Sequence, residues 1–154
     1  MLPTPRKYDL VTGFGEGNTT LTAFDAALLN SGLGNLNLLK VSSILPPHAE
    51  FTPGLIIPPG SLVPTAYGAI CSQQPGERIA AAVAVGIPKE ADSYGVIMEC
   101  SGCCAREELE QRIRKMVIEA FQKRDLALKE IQVSAVDHRV NECGCAFAGL
   151  PLWY

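Results

Sequence analysis

Apolar residues recur along this chain with two periods, one typical of strands and one typical of helices. Alternating or continuous apolar runs bounded by turn residues predict β-strands. They lie at residues 8–14, 61–72, 78–86, 93–99, 131–140 and 144–150, with one further run beginning at Leu36. Apolar residues three or four apart predict amphipathic helices over residues 22–29 and 104–124. This order, with few crossovers, favours an α+β fold over a doubly wound parallel sheet.

Finer features of these elements follow from local sequence. In the first helix, Thr22 is expected to cap the amino terminus, with Asp25 reaching back to it. Its predicted apolar stripe is Leu21, Phe24 and Leu28, and Gly32 is the expected stop. The small residues 80–84 are typical of a strand closely covered by another layer. Strands 61–72 and 78–86 predict a hairpin, and the last two strands are expected to be antiparallel.

Composition narrows the possible functions. A chain of 154 residues is expected to form a single domain, and 47% hydrophobic with 19% charged residues is typical of soluble proteins. The net charge of −3 gives no basic surface for nucleic acid or an anionic membrane. The apolar runs are too short to span a bilayer, and the first residues lack the apolar segment of a secretory signal. We therefore expect a cytoplasmic protein without nucleic-acid or membrane partners.

Two motifs suggest a bound group and are discounted. The glycines at 13, 15 and 17 lack the final spacing of a dinucleotide fingerprint, and Glu16 would repel a phosphate. Thiols are the other candidate, and six are present: Cys71, Cys100, Cys103, Cys104, Cys143 and Cys145. Their spacing is irregular and no histidine joins them, so we expect no metal site. A small cysteine-ligated metal protein stays open as an alternative class.

Two adjacent serines, Ser42 and Ser43, follow the apolar run that begins at Leu36 and precede Pro46 and Pro47. Proline lacks a backbone donor and favours extended geometry in the residue before it, so the strand is expected to end here. A serine hydroxyl at such an end can lie against the preceding peptide carbonyl, the arrangement needed for self-attack. The alternative is that both serines are ordinary strand-end residues bonded to local backbone.

Two carboxylates are candidates for chemistry. Glu99 ends an otherwise apolar run, and loss of solvation there would raise its pKa and suit it as a general acid. It could equally turn to solvent at the strand end. Asp25 is either a carboxylate favoured by the helix dipole or a buried anion awaiting a cationic group such as a guanidinium. Residue pattern alone leaves both pairs of alternatives open.

The segment Lys40-Val41-Ser42-Ser43-Ile44-Leu45-Pro46-Pro47 occurs with related motifs at residues 30–38, 62–68, 97–99 and 144–148 and with the terminal Leu152-Trp153-Tyr154. Over nearly its whole length the chain resembles the pyruvoyl-dependent arginine decarboxylases. This resemblance implies a four-layer αββα sandwich with mostly antiparallel sheets. It also implies a homotrimer, or a multiple of it, with active sites between subunits.

The resemblance further implies a proenzyme. Ser43 Oγ would attack the carbonyl carbon of Ser42, and β-elimination would separate a β chain, residues 1–42, from an α chain, residues 43–154. Residue 43 would become a covalent pyruvoyl group, so that no external cofactor is needed. Its ketone would form a Schiff base with L-arginine and accept the electrons left as CO2 departs, giving agmatine.

Roles for individual residues are implied in the same way. Glu99 would return a proton to the α-carbon, Asn37 would orient cofactor or substrate, and Asp25 would hold the guanidinium. Leu38 and Ile44 would shape the pocket. Two alternatives remain: decarboxylation of another amino acid, and an uncleaved binding or assembly protein on the same scaffold with Ser42 and Ser43 inert. The Cys100–Cys104 segment departs from the family pattern beside Glu99.

Overall fold

Two stacked β-sheets, each covered by one helix on its outer face, make up the computed structural model, which describes residues 2–154. The helices are α1 (Thr20–Ser31) and α2 (Arg106–Lys123). The strands are β1 (Lys7–Tyr8), β2 (Val11–Glu16), β3 (Asn37–Lys40), β4 (Ile44–Leu45), β5 (Glu50–Phe51), β6 (Leu62–Ser72), β7 (Arg78–Pro88), β8 (Gly95–Gly102), β9 (Leu128–Arg139) and β10 (Gly144–Trp153).

The first sheet is built around β10. Strand β6 pairs with it antiparallel on one side, and β2 and β1 pair with it antiparallel on the other. Strand β3 extends the sheet beyond β6 as a parallel edge strand, and β5 joins β1 in parallel. In this register Cys145 lies opposite Cys71, and Lys40 lies opposite Thr65.

The second sheet is entirely antiparallel and is built around β7, which pairs with β8 and β9; β4 adds to β8. Residues 79–85 of β7 have no solvent-exposed surface, because α2 covers one face and the first sheet covers the other. Alanines at 80, 81, 82 and 84 allow both layers to approach closely. The predicted closely covered strand is confirmed.

Three apolar clusters fill the spaces between the four layers. The central cluster lies between the sheets and contains Val83, Ile97 and Leu150. A second lies under α2 around Leu109 and Phe121, and a third lies under α1 around Ala27 and Phe147. The predicted α+β class and the αββα order of layers are confirmed.

Two pairing predictions need correction. Strands β6 and β7 do not form a hairpin: β6 belongs to the first sheet and β7 to the second, and the turn between them, with Gly76 at φ 84°, carries the chain across. The last two strands also join different sheets, where each is antiparallel to its partners. Turn residues reveal that the chain reverses, but the sheet that the next strand joins is decided by packing between distant segments.

The first helix begins earlier than predicted. Its cap is Thr19, whose hydroxyl accepts from the Thr22 N–H at 3.1 Å while the Thr22 hydroxyl accepts from the Thr19 N–H at 3.0 Å. Thr22 is therefore the capping partner and Asp25 lies beyond the first turn. The buried stripe is also different, because Ala23 and Ala27 are buried whereas Leu21 is 74% exposed.

The end of α1 and the position of α2 agree with the predictions from sequence. Gly32 ends α1 in the left-handed conformation, with φ 89°, as predicted. The predicted helix over residues 104–124 is α2, whose buried side carries Leu109, Ile113, Val117 and Phe121.

Gly13 permits the close contact between β2 and α1. A Cβ there would overlap the Ala27 carbonyl oxygen and lie 2.7 Å from the Ser31 nitrogen. We expect Gly13→Ala to lower the free energy of unfolding by about 1–3 kcal/mol, because backbone must move to make room. Urea denaturation measures this, with Gly102→Ala as the control, since a Cβ at 102 has its nearest neighbour at 3.6 Å. Equal stability of the two variants would contradict the prediction.

Candidate active site

The bond between Ser42 and Ser43 lies where the chain crosses from one sheet to the other. Strand β3 ends in the first sheet at Lys40, and β4 begins in the second sheet at Ile44. On one side of the crossing the Val41 N–H donates to the Thr65 carbonyl at 3.2 Å. On the other side the Ser43 carbonyl accepts from the Ile97 N–H at 2.8 Å. The two serines are thus held between anchored ends.

The Ser42 carbonyl already has a hydrogen-bond donor. The Ile44 N–H donates to its oxygen at 3.1 Å, which folds the backbone tightly around Ser43. Ser42 is exposed and Ser43 is half-buried. A donor on this oxygen would stabilise negative charge developing there if the carbonyl carbon were attacked. The arrangement is one that self-attack by Ser43 would use.

Glu99 faces the space between the sheets beside this crossing. It lies opposite Val83, and both its strand neighbour Ile97 and Val83 belong to the central cluster. Its Oε2 atom is buried without a hydrogen-bond partner. Burial raises the pKa of the Glu99 carboxyl, an effect that the Lys40 charge and the Ser43 hydroxyl oppose without cancelling. This direction agrees with the expected rise in pKa, and the buried Oε2 atom favours it over a carboxylate turned fully to solvent.

Gly68 on β6 allows the sheets to approach closely next to Glu99. A Cβ at this position would lie 3.1 Å from the backbone oxygen of Cys100. Because the gap is narrow, little water can solvate the carboxylate, which accounts physically for its raised pKa.

Lys40 is a member of this site that sequence reasoning missed. Its Nζ lies 4.5 Å from the centroid of the Tyr67 ring, where the ring face attracts a cation. Its charge favours the ionised form of Glu99. The sequence did contain a signal, since Lys40 is the only lysine, arginine, aspartate or glutamate among residues 26–49.

The other predicted site residues differ in their surroundings within this single chain. Asn37 is exposed at the start of β3, and its Nδ2 donates to the Gly60 carbonyl at 2.9 Å. Leu38 is half-buried in the cluster under α1, and Ile44 is 42% exposed next to Ser43. Asp25 is exposed on α1, so the hypothesis of a buried anion is wrong for the isolated chain.

Two properties of the described chain bear on other classes of function. Within residues 2–154, no three or more histidine, cysteine, aspartate or glutamate side chains are grouped so that they could hold a metal ion. Neither helix in the same range is long and apolar enough to cross a membrane. All six cysteines are free thiols.

The layered fold has a solved representative. The structure of a pyruvoyl-dependent histidine decarboxylase is similar, with a TM-score of 0.53 at 17% sequence identity. The match covers 62% of this chain and 52% of that chain. At this identity the likeness concerns the fold alone.

Sequence comparisons give the family. The model of the pyruvoyl-dependent arginine decarboxylase family matches residues 7–154. A pyruvoyl-dependent arginine decarboxylase of Methanocaldococcus jannaschii is 50% identical, covering 97% of this chain and 91% of its own length. A protein of the same name from Methanococcus maripaludis strain C5 is 47% identical, covering 97% of this chain and 92% of its own length. Another from Pyrococcus horikoshii is 46% identical, covering 90% of this chain and 89% of its own length. The chain belongs to the pyruvoyl-dependent arginine decarboxylase family.

The cofactor of this family is a covalent pyruvoyl group, and the residues around position 43 fit such a group. The serine is half-buried between two anchored backbone segments. The unpartnered Oε2 of Glu99 provides a buried polar atom beside it. No further charged side chain is needed to hold a group that is part of the backbone.

Proposed function

We propose that this protein is a self-processing decarboxylase that converts L-arginine to agmatine and CO2 with a pyruvoyl group made from Ser43. One observation carries the proposal: a buried, unpartnered carboxyl oxygen of Glu99 lies beside the serine crossing of a chain from this family. A carboxyl group with a raised pKa is suited to give a proton at neutral pH.

Self-cleavage begins with the Ser43 hydroxyl. Its oxygen attacks the Ser42 carbonyl carbon, the peptide C–N bond breaks, and an ester replaces it. The Ile44 N–H, 3.1 Å from the carbonyl oxygen, supports this step by stabilising the oxyanion. Loss of the α-proton of residue 43 then expels the Ser42 carboxylate. The remaining dehydroalanine isomerises to an imine, and hydrolysis releases ammonia. The products are residues 1–42 and the pyruvoyl-bearing residues 43–154 of one domain.

In the decarboxylation itself, the pyruvoyl group supplies a carbonyl that accepts electrons as CO2 leaves. Glu99 gives the proton that the α-carbon of the substrate then requires. Asn37 orients the reacting groups, and Ile44 and Leu38 shape the pocket. Asp25 pairs with the guanidinium, for which a carboxylate offers two parallel hydrogen bonds.

We further propose that a homotrimer, or a multiple of it, completes the site. Asp25 is exposed on α1 between Leu21 and Leu29, one turn away on either side, which are 74% and 56% exposed. Ile44, which follows Ser43, and Leu39 on β3 are each 42% exposed. Burial of both apolar patches between copies would allow Asp25 of one chain to reach the site at Ser43 of another.

The proposal includes a cytoplasmic location without nucleic-acid or membrane partners. Six free thiols are compatible with a reducing compartment, and a net charge of −3 offers little attraction for anionic polymers or lipid surfaces.

Substrate choice is tested by CO2 release from L-arginine, L-lysine, L-ornithine and L-histidine supplied separately to the purified protein. We expect kcat/KM to be highest for L-arginine by at least about tenfold, because only its planar guanidinium can pair in bidentate fashion with Asp25. A higher value for another amino acid would support the alternative substrate. Absence of CO2 from all four would favour an uncleaved binding protein.

Lys40 gives a prediction about pH. Its charge lowers the pKa of Glu99, so Lys40→Met should raise that pKa further. Because Glu99 acts in its protonated form, the alkaline limb of the pH–rate profile should move to higher pH. Lys40 on β3 is the charged group that acts on Glu99, and the Glu99 charge in turn helps to raise the pKa of the Cys100 thiol.

The measurement is the pH dependence of kcat, expressed per processed chain as determined by electrophoresis. Lys40→Arg is the control, since it keeps the charge and should leave the limb in place. If the alkaline limb of the pH–rate profile stays in place in Lys40→Met, the Lys40 charge does not set the pKa of Glu99.

A further inference from the structure

Three thiols that the proposed function does not use lie on the α1-covered face of the first sheet. Cys145 has no exposed surface, Cys143 is 7% exposed, and Cys71 is half-buried at the edge of the same cluster. The Cys71 Sγ lies 3.7 Å from the carbonyl oxygen of Thr20, at the start of α1. The cluster is therefore reached from solvent through Cys71.

The register of the sheet places Cys71 and Cys145 directly opposite each other on antiparallel strands. Contacts of β10 with β2 on its other side show whether Cys71 and Cys145 form a hydrogen-bonded or a non-hydrogen-bonded pair. The Gly17 N–H donates to the Cys143 carbonyl at 3.0 Å, so the backbone groups of residue 143, and by alternation those of residue 145, point towards β2. On the side of β10 that faces β6, Cys145 and Cys71 therefore form a non-hydrogen-bonded pair.

This pairing suits a disulfide. Cα atoms of a non-hydrogen-bonded pair are about 4.5 Å apart and their side chains are at their closest, whereas a disulfide needs a Cα separation of roughly 4.4–6.8 Å. Both side chains already face α1, and the two thiols interact with each other. No backbone movement of the kind that strains engineered disulfides is required.

We propose that Cys71 and Cys145 are a modification site, a thiol pair that closes to a cross-strand disulfide by exchange with a small-molecule disulfide. The Cys71 thiolate attacks one sulfur of the oxidant, forming a mixed disulfide and releasing one thiol. The Cys145 thiolate then attacks the Cys71 sulfur and releases the second thiol. Two cysteine protons end on the two released thiols, and the oxidant gains the two electrons that the protein loses.

Burial raises the pKa of both thiols. The thiolate is the reactive form, so exchange should be slow at neutral pH and faster at higher pH. Glu16 and His138 are the ionisable groups near the neighbouring Gly144, and Cys143 is the third thiol of the cluster.

The strands that this bond would join carry the amino-terminal part of the protein. Strand β3 pairs with β6, β2 pairs with β10, and α1 packs across both. This consequence rests on the proposed function: after cleavage at Ser42, residues 1–42 are held without a covalent link. A disulfide between β6 and β10 would fix the spacing of the surface on which they dock, so the oxidised form should retain them to higher urea concentration.

Mass spectrometry after alkylation tests the pair. Purified protein is treated with oxidised glutathione at mildly alkaline pH, or with dithiothreitol, and its free thiols are then alkylated under denaturing conditions. We expect two fewer alkylated cysteines in the oxidised sample and a peptide linking Cys71 to Cys145. Cys103→Ser, at an exposed thiol elsewhere, is the matched control and should still form the link.

Cys71→Ser and Cys145→Ser should each abolish the linked peptide. Six alkylated thiols after oxidation, a stable mixed glutathione adduct on Cys71, or a link through Cys143 would overturn the proposal. The Ser43→Ala protein should form the same disulfide, so absence of cleavage and absence of the crosslink are separate results.

Discussion

Replacement of Ser43 by alanine is expected to leave one intact chain, with complete loss of self-cleavage. Alanine has no hydroxyl to attack the Ser42 carbonyl, and the Ile44 N–H bound to that carbonyl cannot break the peptide by itself. Denaturing electrophoresis and intact mass would show a single unmodified species. Since no pyruvoyl group forms, decarboxylation should also be absent.

The matched control is Ser61→Ala, which removes a hydroxyl bonded to the Pro58 carbonyl in an exposed connector. It should cleave like wild type. Circular dichroism should show that the Ser43→Ala chain is folded. Fragments dividing after residue 42 in that folded variant would refute the assignment of Ser43 as nucleophile.

Glu99→Gln should lower decarboxylation by a factor of about a hundred or more while permitting some cleavage. An amide has nearly the shape of the carboxyl group but has no acidic proton to give to the α-carbon. The attack by Ser43 relies on the hydroxyl and the Ile44 N–H, so processing has a source of catalysis that this substitution leaves intact. The rate of CO2 release per processed chain measures the effect.

Glu107→Gln on the exposed side of α2 is the control and should retain normal turnover. Unchanged decarboxylation in Glu99→Gln, at the same processed fraction, would remove Glu99 from the role of proton donor. A variant that fails to cleave at all would instead assign the carboxyl to self-processing.

Sequence patterns were sufficient for features set by local chemistry. The stop of α1 at Gly32 needs only a residue that tolerates positive φ, and α2 has a clear helical repeat. The raised pKa of Glu99 followed from its apolar neighbours, because consecutive buried strand residues deprive a carboxylate of water. The end of the strand before Ser42 and Ser43 was predicted from the prolines that follow them, and β3 ends at Lys40.

Features set by distant segments could not be predicted in this way. The residues of the turn before β7 do not reveal whether β7 pairs with β6 in the first sheet or joins the second sheet, as it does here. Asp25 has a capping interpretation that looked adequate, yet Thr19 and Thr22 cap each other and leave Asp25 exposed. The influence of Lys40 on Glu99 depends on two strands from different sheets meeting at the crossing.

The intact mass of freshly purified, folded wild-type protein tests the central claim most directly. We expect two fragments that divide after Ser42, the larger lighter by one ammonia molecule than simple hydrolysis would give and reactive towards a carbonyl reagent at its first residue. A folded chain that stays whole, with Ser43 unmodified and no reactive carbonyl, would contradict the account.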